Sequence, residues 1–222
     1  GYAAIPLTAL AFAGLVNAYN MIDGVDGLCA TFALLPLLVV GLLAWQAGHH
    51  SADSLLLIAT ALAVFLVFNL SPGTRWRPKL FLGDSGSGML GFAVCSVLVY
   101  FSQPPQMLVK PVTCLWLVAV PLFDMLTTML IRVREGDHPM RADRRHLHHL
   151  LIDHGFSVLN TRRIMVSYAV AMIVAGFLLM PQHSYVSMAA ILAVFATHVT
   201  LVCRARRSML HALPDGLGNA AA

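Results

Sequence analysis

The stretch NAYNMIDGVDGL sets Asn17, Asn20, Asp23 and Asp26 at intervals of three. On a continued helix, neighbours in such a series lie on nearly the same face. Two carboxylates and two amides at the end of an apolar helix need a cation or hydrogen-bond donors to engage them. The alternative is an acidic turn that caps the next helix. Gly24 and Gly27 let the backbone turn there, or approach a ligand closely. Further on, KLFLGDSGSGMLGF flanks Asp84 with Gly83, Gly86 and Gly88. Glycine-rich backbone opening a helix offers N–H groups to a phosphate, and a lone carboxylate beside it can hold Mg²⁺. An Asp in this place also serves as an N-cap. No Gly-Lys-Ser/Thr follows, so this is not a P-loop.

A third stretch, HPMRADRRHLHHLLIDHG, predicts a short helix with Asp143 as N-cap and Gly155 just past its end. Leu147, Leu150 and Leu151 form one stripe, and His146, His149 and Asp153 fall on the other side, with His148, Arg144 and Arg145 alongside. Such a helix lies on a membrane surface with its apolar side down and a His/Arg face turned to a site. No thiolate or further carboxylate completes a zinc site with His146, His148 and His149. Imidazoles and guanidiniums suit phosphate oxygens better. His49, His50, His183 and His198 have no companion motif. Asp124, eight residues and about 12 Å ahead of Arg132 on a helix, is an intramembrane charge that must face the bundle interior and have a partner. It is either structural or part of the site lining.

These stretches sit between apolar runs. Hydrophobic residues make up 59% of the chain and charged residues 11%, with a mean hydropathy of +0.78, against about 25% charged residues in a soluble domain. Seven runs approach the roughly 20 residues that a spanning helix needs: 2–19, 28–47, 53–70, 86–101, 111–131, 164–180 and 184–202. They are too long and continuous for barrel strands. The expected architecture is an all-α polytopic membrane bundle, one domain over 1–210 with polar loops at 17–27, 71–85 and 132–163 and a disordered tail at 211–222. Cys29, Cys95, Cys114 and Cys203 are scattered in or at the ends of spans and read as packing residues. The chain starts at Gly1 with no basic segment before its first run, which suggests a fragment rather than a signal peptide.

Of the 14 Lys and Arg residues, all but Lys110 fall at 75–79, 132–163 or after the last run. With seven alternating spans, those regions and the 17–27 segment share one face, which the positive-inside rule makes cytoplasmic. The net charge of +4 fits this topology and anionic lipid or phosphate partners, with no nucleic-acid motif present.

In their order, NAYNMIDGVDGL, FLGDSGSG, PLFDMLTTMLIRVREGDHP and ADRRHLHHLL resemble the polyprenyl-phosphate N-acetylhexosamine-1-phosphate transferase family, glycosyltransferase family 4, over almost the whole chain. The resemblance implies a bundle of ten or eleven spans with a cytoplasmic cleft. It also implies transfer of a sugar 1-phosphate from a UDP-N-acetylhexosamine to undecaprenyl phosphate with release of UMP, dependent on Mg²⁺ or Mn²⁺. Asp84 matches the family's metal-binding aspartate and Asp23 and Asp26 its second acidic motif, Asp23 being a further metal ligand. His146, His148 and His149 match its histidine motif. Asn20, Asn69 and Phe81 match positions near the nucleotide pocket, and Arg144 and Arg145 flank the histidines as substrate contacts. HLHH is similar to the branch using UDP-N-acetylglucosamine, which starts O-antigen, common-antigen, teichoic-acid or capsule synthesis. A homodimer is left open.

The family's first motif, an Asp-Asp pair, has no counterpart in these residues. About four upstream helices are therefore expected to be missing, and the chain alone to be inactive. Direct in-line attack by the acceptor phosphate is preferred over a covalent aspartyl-phosphate on Asp23 or Asp26. From other classes, an ion-coupled transporter would place its polar groups at mid-depth rather than at one face, and an inactive membrane scaffold rests only on the missing pair.

Overall fold

A computed structural model describes residues 4–75, 78–139 and 145–212. The expected tail, Asp143 and Arg144 lie outside the described residues, apart from 211–212, which continue the last helix. The described residues form nine helices and no strand: α1 (Ala4–Ile22), α2 (Leu28–Gln46), α3 (Ala52–Asn69), α4 (Gly83–Phe101), α5 (Pro111–Leu117), α6 (Ala119–Arg134), α7 (Leu147–Asp153), α8 (Val158–Leu178) and α9 (Ser184–Ala212). Six are long and apolar enough to cross a membrane, or seven spans if α5 and α6 count as one. The chain is a multi-pass membrane protein. Ile5, Leu57, Phe92, Leu178 and Leu201 stand exposed on its flanks, as lipid-facing side chains do.

The fifth apolar run is not one helix, since α5 and α6 meet at 79°. Pro121, in the third position of α6, has no N–H to give the Leu117 carbonyl, and its ring clashes with that carbonyl in a straight helix. Two other boundaries move. Helix α8 starts at Val158, capped by the Ser157 hydroxyl, which accepts from Asn160 N–H at 3.2 Å. This puts Arg162 and Arg163 on a helix rather than in a loop. Helix α9 runs on ten residues past the predicted end at 202, carrying Arg204, Arg206 and Arg207 with it.

The helices pack in two connected groups. Helix α1 lies on α4 and α6, α2 lies on α3 and α4, and the broken pair α5/α6 packs on α8 and α9. The α1/α4 contact is close enough that a Cβ at Gly91 would stand 2.8 Å from the Leu15 carbonyl oxygen and 2.9 Å from Val16 Cα. Small residues permit such backbone approach between membrane helices. Two buried side chains pair across elements: Tyr19 O–H donates to the Phe32 carbonyl at 2.8 Å and Trp116 Nε1–H to Ser187 Oγ at 3.0 Å.

Candidate active site

Helix α1 ends at Ile22, and Asp23 to Gly27 turn into α2. Asn17 and Asn20 are thus helical, whereas Asp23 and Asp26 lie on the turn. Gly27 supplies the left-handed residue at φ +80°, as expected for the turn. The carboxyl of Asp23 is pushed up to about 6, first by partial burial and then by the charges of Asp84 and Asp26. Three carboxylates from two helix junctions therefore share one field.

Each member of this cluster is held by a neighbour. Asp84 is exposed in the first turn of α4, and Ser87, fully buried one turn later, places its hydroxyl 3.0 Å from both the Asp84 carbonyl and Asn20 Oδ1. Asn20 and Ser87 thereby tie the end of α1 to the start of α4. Lys79 pairs with Asp26 at 2.5 Å and lies 5.2 Å from the centre of the exposed Phe81 ring. Arg162 on α8 donates to the Asp26 carbonyl at 3.3 Å. Asn69 is buried at the end of α3 with its Nδ2–H donated to the Leu80 carbonyl at 2.7 Å, so its amide anchors the loop that carries Lys79 and Phe81.

The histidines arrive from the other side of the cluster. Helix α7 begins at Leu147 with His146 at the N-cap, three residues later than an Asp143 cap requires. The cap comes from a distant residue: Asp124 on α6 accepts from Leu147 N–H at 2.6 Å through Oδ1 and from the His146 ring at 2.9 Å through Oδ2. Thr128, one turn on from Asp124, lies 3.4 Å from the same ring nitrogen. Asp124 is thus a structural anchor for the histidine stretch, which resolves the two readings its position allowed.

The predicted sides of α7 also change. Leu147, Leu151 and Ile152 pack on the core, while Leu150 stays half-exposed and His148 is buried. His148 points at the acidic turn, where a Cβ on Gly24 would stand only 2.4 Å from its Nε2. Gly24 is thus a site of close approach, as the sequence suggested, but to a side chain of the protein. The ring of His148 lies parallel to that of His146 at 5.8 Å and 4.2 Å from that of His149.

Arg145 is engaged elsewhere. Its guanidinium bonds Asp137 at 2.5 Å and Glu135 at 3.1 Å, and Arg206 holds Glu135 from the far side at 2.7 Å. Arg132, nearly fully buried, donates to the Pro139 carbonyl at 2.7 Å and so fixes the segment leaving α6.

The structure therefore brings together Asn20, Asp23, Asp26, Asp84, Phe81 and His148, with Lys79, Ser87 and Arg162 added. His146 and Asn69 act as anchors within it, His149 stands beside His148, and Arg145 belongs to a neighbouring ion-pair cluster. Among the described residues no three His, Cys, Asp or Glu side chains converge as a metal cage. Asp23 and Asp84, repelling one another across an open surface, suit a hard cation that takes one or two carboxylates and completes its shell with water and phosphate.

Residues 1–102 match the family model for glycosyl transferase family 4. Similar curated proteins carry the name undecaprenyl-phosphate alpha-N-acetylglucosaminyl 1-phosphate transferase. That of Escherichia coli is 37% identical over 152 residues, 68% of this chain and 41% of its own length. That of Yersinia pestis is 37% identical over 153 residues, again 68% and 41%, and that of Haemophilus influenzae 35% over 131 residues, 58% and 35%.

The chain belongs to glycosyl transferase family 4.

It spans about 41% of the length of the first of these relatives. The family match covers α1 to α4, and so Asp23, Asp26 and Asp84; the histidine helix and its Asp124 anchor lie beyond it. Three contributors, Ser87, Lys79 and Arg162, were not singled out from sequence, nor was the contact between Gly24 and His148. Ser87 follows Asp84 at i+3 and Lys79 precedes it by five, spacings that mark both in hindsight. Arg162, 136 residues from Asp26, and the contact between Gly24 and His148 leave no local signal.

Proposed function

We propose that this chain forms part of a membrane enzyme that transfers N-acetylhexosamine 1-phosphate from a UDP-sugar to undecaprenyl phosphate, releasing UMP, at the cytoplasmic face of the bacterial inner membrane. The observation that carries this reading is the cluster of Asp23, Asp26 and Asp84 with His148 of α7 packed against Gly24 in the turn between Asp23 and Asp26. The names of the relatives favour N-acetylglucosamine as the sugar. Such lipid-linked sugars open the synthesis of a cell-surface polysaccharide.

In the reaction, an oxygen of the acceptor phosphate attacks the sugar-bearing phosphorus of the donor, and the bond to the bridging oxygen breaks to give UMP. Both partners are anions, so neutralising charge dominates the catalytic task. Mg²⁺ held by Asp84 and Asp23 supplies that neutralisation at the diphosphate when bound. Lys79 and Arg162, anchored on Asp26, keep its carboxylate and carbonyl facing the turn, and Phe81 offers an exposed face to a base. His149 presents imidazole to phosphate oxygens, with the buried His148 packed between it and the acidic turn. The acceptor phosphate, with a second pKa of about 6, is mostly dianionic at neutral pH and needs no strong base.

The test is UMP release from UDP-N-acetylglucosamine by membranes containing the complete gene product, with undecaprenyl phosphate and Mg²⁺. Release that stops with chelator and falls at least 100-fold in Asp84→Asn is the expected result. Undiminished release in Asp84→Asn would remove the carboxylate cluster from the mechanism.

A further inference from the structure

At their basic ends α6 and α9 part to leave a groove of about 470 Å³. Both helices run towards this end, as the pairing of Arg206 with Glu135 just past α6 requires. Along them the lining changes from Leu130, Phe195 and Val199 to Arg134, Arg204 and Arg207. Arg204 stands 20 residues beyond Ser184, about 30 Å at 1.5 Å per residue, which is the thickness of the hydrocarbon core. The guanidiniums therefore sit at headgroup level and the apolar lining at chain level.

All three arginines are exposed, and among the described residues no carboxylate pairs with them. The nearby acids are already spent, Glu135 on Arg206 and Arg145 and Asp137 on Arg145. Three uncompensated guanidiniums over an apolar cleft complement a phosphate that carries a hydrocarbon chain. Helix α9 packs chiefly on α5, α6 and α7, whereas the acidic cluster lies at the ends of α1 and α4. We propose that this groove binds an anionic phospholipid, its phosphate on Arg134, Arg204 and Arg207 and an acyl chain along Leu130, Phe195 and Val199.

Native mass spectrometry of the complete gene product, released from mild detergent after incubation with equimolar phosphatidylglycerol and phosphatidylcholine, tests this. Retention should favour phosphatidylglycerol at least fivefold. The triple change of Arg134, Arg204 and Arg207 to Gln should abolish the preference, and the triple change to Lys, which keeps the charge and controls for folding, should preserve most of it. Equal retention of both lipids, or a preference unaffected by the Gln variant, would overturn the proposal. So would exclusive retention of undecaprenyl phosphate when it is added alongside, which would make the groove the acceptor's site.

Discussion

Asp124 carries two bonds, one to the first N–H of α7 and one to the His146 ring. Truncation to Ala leaves the Leu147 N–H without its acceptor and the His146 ring with only the longer contact to Thr128 at 3.4 Å, at a cost on the order of 3 kcal/mol. Asp124→Ala should melt several degrees lower, and its turnover should fall further than its donor KM rises, because the histidines lose their seat rather than the nucleotide its pocket. Gly24→Ala acts from the opposite side. The new methyl displaces the His148 ring, so turnover should drop at least tenfold while the melting temperature, at this exposed turn, stays within a few degrees.

Asp23 has a folded pKa of about 6, above its ordinary 3.8. The folded state thus holds this proton more tightly than the unfolded state does, and the group's contribution to stability is present below pH 4 and lost as pH rises through about 6. With half the carboxyl solvated, the effect is at most about 1 kcal/mol. Asp23→Asn should flatten this part of the melting-temperature profile of chelator-treated protein between pH 4 and 7; an unchanged profile would mean that neither burial nor the neighbouring charges raise its pKa. Asp23, Asp26 and Asp84 were legible in sequence because period-three spacing and flanking glycines are local signals. The partner of Asp124 was not, because it lies 22 residues away, beyond the end of α6.

At the scale of elements, the spans were readable from apolar length alone, but their ends were not. Helix α9 continues beyond the apolar run because Arg side chains are good helix formers once outside the hydrocarbon. The bend between α5 and α6 is hidden inside a continuous apolar run, where Pro121 alone marks it. That bend matters to the site, since it sets the direction of α6 and so the place of Asp124. The α1/α4 seam matters equally, since it sets Asp23 against Asp84. Gly91→Ala puts a methyl against backbone atoms that cannot rotate away. It should destabilise by about 1–3 kcal/mol and lower turnover through loss of the carboxylate geometry, both measurable in one preparation.

For the whole molecule, the charge distribution along the sequence foretold that the polar chemistry gathers at one end of the bundle, and there the acidic turn, the α4 start and the histidine helix meet. Which long-range neighbours close that end was not legible, since Arg162, His148 and Arg206 reach their partners through tertiary packing alone. The most direct test of sugar-phosphate transfer uses UDP-N-acetylglucosamine labelled in its sugar-bearing phosphate, given to the complete gene product with undecaprenyl phosphate and Mg²⁺. The label should pass into the organic-soluble lipid in a one-to-one ratio with UMP. Label left in the aqueous phase as UDP would mean that the sugar moves without its phosphate, and would contradict the proposed reaction.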